Sequence, residues 1–148
     1  MIVVGIDPGK TGSIVRLEGE DLLAWKMPPA TDELMATMKL ATAGAAAVYI
    51  EKVWARRGNS TKSNWSFAYH YGQLNMAVEL AWGYPIQVTP KCWMTEMKCL
   101  TGGDKNISKN AAIQLLDVEG YEGLTVTHWN ADGILIAKFG ERNEAKKV

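Results

Sequence analysis

Five short apolar runs and five segments of helical character make up this chain, and Asp7, Glu51 and Asp132 are each joined directly to an apolar stretch. Ile2-Val3-Val4-Gly5-Ile6 has the length and composition of a buried strand, and Asp7-Pro8-Gly9-Lys10-Thr11-Gly12 after it is strong turn chemistry. Strand character resumes over 13–18 and 22–26, on either side of a hairpin turn at Gly19-Glu20-Asp21. Pro28-Pro29 breaks the chain, and Thr31 reads as the N-cap of a helix over about 32–43 with Asp32 and Glu33 in its first turn. The run 45–50 predicts a fourth strand that ends at Glu51, and the polar, basic stretch 54–64 reads as a loop. A helix then starts at Ser63 or Asn64 and runs to about Trp82. Trp65, Ala68, Tyr69, Gly72, Met76, Ala77 and Leu80 recur along one of its faces. Residues 85–88 form a short strand, and Thr89-Pro90 opens a short helix to about Lys98. Thr101–Asn106 reads as a loop before helices over about 107–117 and 127–140, the last capped by Thr125 or Thr127.

The first three strands suit an antiparallel meander. The two later strands are each reached through a helix, which favours right-handed crossovers and parallel pairing. The expected fold class is therefore α/β, a mixed five-stranded sheet (antiparallel meander plus two parallel strands) flanked by helices, the layout of the ribonuclease H-like fold. A length of 148 residues fits one domain over 1–148. The two cysteines, Cys92 and Cys99, match no zinc spacing, and their scarcity fits a reducing compartment. No apolar run reaches membrane length and the N-terminus lacks the layout of a signal peptide, so no membrane partner and a cytoplasmic location are expected.

Formal net charge is zero, with 16 basic and 16 acidic residues, which by itself speaks against nucleic acid. The distribution changes that picture. Residues 1–51 carry a net −3, residues 52–110 a net +5 and residues 111–148 a net −2. Cations gather in the middle third and carboxylates at both flanks.

Asp7, Glu51 and Asp132 are each joined directly to an apolar segment, where an isolated charge is costly unless something pairs with it. If the strands at 2–6 and 46–51 are parallel neighbours, Asp7 and Glu51 lie at corresponding edges of the sheet, and the final helix can deliver Asp132 to the same place. On that expected helix, His128 stands four residues before Asp132 and Trp129 three before, both on its face. Three carboxylates and an imidazole suit hard divalent cations, Mg²⁺ or Mn²⁺, and two such ions support phosphodiester hydrolysis. Taken one by one, Asp7 also fits a turn cap and Glu51 a solvated strand end. Asp132 has fewer alternatives, because its helix is apolar on most sides.

Asp7-Pro8-Gly9 after one strand, Glu51-x-Val53-Trp54 after another and Ala131-Asp132-Gly133-Ile134-Leu135-Ile136-Ala137 near the end resemble the RuvC-like crossover junction endodeoxyribonucleases, in particular the compact phage members. Gly72-Gln73, Pro90-x-x-Trp93, Thr101-Gly102 and Lys105 extend the resemblance over roughly residues 1–140. The resemblance implies a homodimer that binds four-way DNA junctions, or related forks and flaps, and nicks two strands with Mg²⁺ or Mn²⁺, two ions per site. For a phage protein the location would be the host cytoplasm. Asp7, Glu51 and Asp132 match three of the family's metal-binding positions. The fourth position falls on Trp129, and either His128, one residue away, or an adjustment of the helix start would supply the fourth ligand. Lys105 matches a lysine near the scissile phosphate, and Trp54 an aromatic near the junction centre. Independently of the family, an indole next to Arg56 and Arg57 on a polar loop can stack on an unpaired base while the arginines hold phosphates. Lys62, Lys91 and Lys109 are further phosphate contacts.

Two other readings compete. The departure at Trp129 fits a junction-binding module with weakened chemistry. Asp7-x-Gly9-x-x-Gly12 before a hairpin also resembles the phosphate loop of actin-like phosphotransferases, which need two such domains to enclose ATP.

Overall fold

A computed structural model describes residues 1–121 and 123–148. β1 (Ile2–Asp7), β2 (Ser13–Glu18) and β3 (Asp21–Lys26) form the antiparallel meander, followed by α1 (Thr31–Thr42), β4 (Ala47–Glu51), α2 (Thr61–Ala81), β5 (Ile86–Val88), α3 (Pro90–Glu96), α4 (Lys105–Glu119) and α5 (Ala131–Ala145). The sheet order is β3-β2-β1-β4-β5, with β1–β4 and β4–β5 parallel. This is the expected mixed sheet.

Period-two alternation along β1 and β4 sorts their side chains onto two faces. Val4, Ile6, Val48 and Ile50 meet Leu34 and Met38 of α1 and Leu74 and Val78 of α2. Val3, Ala47 and Tyr49 turn the other way, toward Ile134, Ala137 and Phe139 of α5 and Trp93 of α3. By the same alternation, Asp7 and Glu51 belong to the α5 face. They lie one residue beyond the Ile6–Ile50 pair, at the C-terminal edge of two parallel strands, the usual location of sites in α/β sheets.

α5 lies unusually close to that face. A Cβ on Gly5 of β1 would collide with the backbone of α5 at Gly133 and Ala137, and one on Gly133 would collide with Ser13 and Val15 of β2. Only glycine permits this approach. Helix α5 is buried from Gly133 to Gly140, including Lys138, which is 2% exposed. Its ammonium is satisfied by Glu119 of α4 at 2.6 Å and by Glu141 at 3.0 Å. Its pKa stands above the usual lysine value; burial works to lower it, but hydrogen bonds to Glu119, Tyr121 and Glu141 outweigh that.

Several element boundaries differ from the expected ones, each for a local reason. α1 begins at Thr31 itself, with Ala30 as an N-cap that offers no side-chain bond. α2 begins at Thr61 because Ser60, with its hydroxyl accepting from the Ser63 amide, caps it earlier than the apolar periodicity suggests. α4 starts at Lys105 for the same kind of reason: Asp104 accepts from the Asn106 amide. The final helix starts late. Asn130 accepts from the Thr127 amide and donates to the Thr125 carbonyl, closing a turn over 127–130, so α5 opens only at Ala131. The apolar face expected on α2 is also largely not core. Leu74, Ala77 and Val78 are buried, whereas Trp65, Tyr69, Met76 and Leu80 are exposed.

Candidate active site

Asp7 is the last residue of β1, Glu51 the last of β4 and Asp132 the second of α5, and all three line one cleft of about 960 Å³. Their electrostatics are mutually unfavourable. Asp7 titrates well above the ordinary carboxylate range, chiefly because it is buried and then because Asp132 and Glu51 repel its charge; Lys105 opposes the shift. Glu51 is pushed up to about 7 by burial and by Asp132, against the hydrogen bond from Trp93 and the charge of Arg56. Asp132 is raised by burial and relieved by the Ser108 hydroxyl, Lys105 and His128. Its Oδ1 is buried with no hydrogen-bond partner among the described residues.

An orphaned carboxylate oxygen within a group of mutually repelling acids fits a divalent cation, which takes several oxygen ligands and offsets their charge at once. Among the described residues, no three His, Cys, Asp or Glu side chains stand close enough to grip one ion as they are. Repulsion between uncompensated carboxylates works to hold them apart.

Glu51 is the most firmly held of the three. Trp93 of α3, fully buried, donates its indole N–H to Glu51 Oε2 at 2.8 Å. The backbone next to Glu51 is pinned by the Lys52 amide, which donates to the Val88 carbonyl at 2.7 Å.

Of the basic and aromatic candidates, Lys105, Trp54, Arg56 and Lys62 line the cleft with the acids, whereas Arg57, Lys91 and Lys109 do not. Lys105 is exposed at the first turn of α4, not in a loop, and its charge acts on both Asp7 and Asp132. Trp54 is 58% exposed, with the Lys52 ammonium 5.6 Å from its ring centroid. The loop that carries it is tied to α2 by Asn64, which accepts from the Arg56 amide and donates to the Arg56 carbonyl. Among the described residues the ion-paired cations are Arg16, Lys138, Arg142, Lys146 and Lys147; none of the cleft cations is paired.

The helical-face argument for His128 does not hold, because α5 begins three residues after it. His128 is exposed in the preceding turn and acts on Asp132 through space, outside the cleft lining. Trp129 is outside the cleft lining and offers no metal ligand; the Lys26 ammonium of β3 lies 5.6 Å from its ring centroid.

Sequence reasoning missed Lys10, His70, Ser108 and the role of Trp93. His70 lines the cleft from α2, and its pKa is lowered by burial and by Lys10. The spacing Ser63, Phe67, His70 marks a second, cleft-facing stripe on α2 that the apolar periodicity obscured. Ser108 carried no comparable signal, and Trp93 only that of the Pro90-x-x-Trp93 resemblance, since a buried serine or tryptophan otherwise reads as core.

A mixed sheet in this order, with a helix bearing an acid laid across the ends of two acid-terminated strands, defines a ribonuclease H-like α/β protein. Solved structures agree over nearly the whole chain. T. thermophilus RuvC in complex with a Holliday junction substrate superimposes with a TM-score of 0.65 at 21% identity, covering 97% of this chain and 96% of that one. The Thermus thermophilus RuvC structure gives a TM-score of 0.62 at 21% identity, covering 97% of each. No family model matches the sequence, and no curated protein matches it. The likeness is one of fold.

Proposed function

We propose that the chain is a metal-dependent endonuclease that acts on branched DNA, resolving four-way junctions or related forks by hydrolysing phosphodiesters. One observation carries this reading: three half-buried acids from β1, β4 and α5 converge on one cleft whose unpaired cations sit beside them. Asp7, Glu51 and Asp132 would hold Mg²⁺ or Mn²⁺, with His128 as an additional ligand or a charge partner of Asp132. When bound, two such ions activate a water and stabilise the leaving oxygen of a phosphodiester.

The chain's own residues do the rest. Lys105 places a positive charge beside Asp7 and Asp132, where it offsets charge on a bound phosphate. Arg56 and Lys62 line the approach and hold backbone phosphates, with Arg57, Lys91 and Lys109 further out, and Trp54 stacks on an unpaired base at the branch.

Paired incisions need two sites, and α2 supports a homodimer. Its exposed residues Trp65, Tyr69, Gly72 and Met76 are symmetric about the midpoint between residues 70 and 71. An antiparallel pairing through a two-fold axis there would set Trp65 against the partner's Met76 and Tyr69 over the partner's Gly72. Exposed apolar patches of this kind on a folded chain mark association surfaces.

Purified protein should nick a four-way junction in Mg²⁺ or Mn²⁺ and leave linear duplex uncut, and Asp7→Asn should abolish nicking while retaining junction binding. Four-way, three-way and forked DNA left intact in both metals would refute the enzyme. Trp129, engaged by Lys26 instead of by a ligand set, favours a second reading, a junction-binding module. Mobility shift without nicking is its signature.

A further inference from the structure

We propose that Trp93 is the positioning residue of the acidic cluster: its indole N–H fixes the Glu51 carboxylate, committing Oε2 to the protein and leaving Oε1 for a divalent cation. This inference rests on the cation-binding reading above and concerns how that site is built.

A buried tryptophan needs a partner for its N–H, and a backbone carbonyl would do. Here the partner is a carboxylate of the cleft, 2.8 Å away, although the indole itself is 0% exposed and packed within the α5-side core. Both ends of the bond are rigid. Glu51 terminates a strand held on both sides by parallel neighbours, and its own carbonyl accepts from the Tyr71 hydroxyl at 3.4 Å. Trp93 sits in a helix that Pro90 opens and Thr89 caps by accepting from the Cys92 amide. The side-chain torsions of Glu51 are then the remaining freedom, and the indole removes them.

The chemistry of the donor matters as much as its position. An arginine or lysine at this place would fix the carboxylate but also neutralise it, and so compete with a cation. An indole has one neutral N–H, no acceptor and no capacity to ligate a metal. It orients the oxygen and leaves the negative charge for something else. Trp93 therefore acts only through Glu51. Partners of this kind around metal ligands typically contribute about 10–100-fold in metal affinity.

The test replaces Trp93 with benzothienylalanine, in which sulfur substitutes for the N–H in a ring of nearly the same shape, and separately with phenylalanine. Mn²⁺ affinity is read by titration calorimetry, and the fold by thermal melting in EDTA. The expected result is a loss of about tenfold in Mn²⁺ affinity for the benzothienyl protein with a cooperative melt, and no further loss when Trp93→Phe is added to Glu51→Gln. Unchanged Mn²⁺ affinity in either folded Trp93 variant overturns the proposal and leaves the endonuclease reading standing. An equal fractional loss in the Glu51→Gln background also overturns it, because the effect would not pass through Glu51. If wild-type protein and Asp7→Asn bind Mn²⁺ equally weakly, the cation site itself fails, and the role of Trp93 falls with it.

Discussion

Asp7, Glu51 and Asp132 are held in a state that elementary electrostatics opposes, and that opposition is measurable without DNA. Each has a raised proton affinity because burial disfavours its charge, joined at Asp7 and Glu51 by the repulsion of neighbouring acids. An acid whose folded pKa lies above its unfolded value binds more protons in the native state, so stability rises as pH falls through the folded value toward the unfolded one. For Glu51, pushed up to about 7, that window runs from there down to its ordinary value of 4.5. In EDTA the protein should therefore melt higher at pH 5.5 than at pH 8, and Glu51→Gln should flatten that dependence and raise the melting temperature at pH 8. A flat wild-type profile, read by calorimetry, would contradict the electrostatics. At this scale the three acids were legible in the sequence because each interrupts an apolar run. His128 was legible only as a neighbour, since its supposed helical register depended on a start that Asn130 moves. Ser108 was not legible, and Trp93 stood out only through the Pro90-x-x-Trp93 resemblance, because nothing local distinguishes a core side chain that donates to an acid from one that merely fills space.

At the scale of elements, α5 decides whether the site exists. Its glycine contacts bring the backbone of α5 onto β1 and β2, and Asp132 is the residue next to Gly133. Gly5→Ala would force a methyl into the α5 backbone at Gly133 and Ala137. Overpacking typically costs about 1–3 kcal/mol, and contact with rigid backbone belongs at the upper end or beyond. Chemical denaturation should record that loss for Gly5→Ala, together with a fall in Mn²⁺ affinity as Asp132 is displaced. Gly19→Ala, strained by a φ of +61° but with its Cβ in open space, is the control for destabilisation alone and should leave Mn²⁺ affinity unchanged. The strands and most helices were readable from hydrophobic period, which reports burial directly. Helix starts were less so, because a cap such as Ser60 or Asp104 is a single polar residue among several that would serve.

For the whole molecule, a net charge of zero conceals a division of labour: paired cations brace the fold, while the cations that border the cleft are unpaired among the described residues. The charge pattern along the chain pointed to this, with its basic middle third. The use of the α2 stripe was harder to read, since helical periodicity cannot tell a face turned to the core from one turned to a second copy. Gly72 separates these uses. A Cβ at Gly72 meets nothing within 4 Å, so Gly72→Arg should leave the isolated chain folded and, by removing a mid-helix glycine, give it a melting temperature equal or higher. The same side chain would block the partner's Tyr69. Sedimentation velocity should find wild type dimeric and Gly72→Arg monomeric, with single-strand nicks replacing paired ones. A dimer unaffected by Gly72→Arg would rule out this pairing.

The position of α5 also governs timing. Asp7 and Glu51 belong to strands made early in synthesis, but α5, which follows every other described element in the chain, supplies Asp132 and covers the β1 face. Domains fold as units as the chain emerges. A nascent or proteolytically shortened chain without α5 would therefore carry two of the three acids and one uncovered apolar face of the sheet. On the endonuclease reading, cutting would have to wait until α5 has been made and has docked.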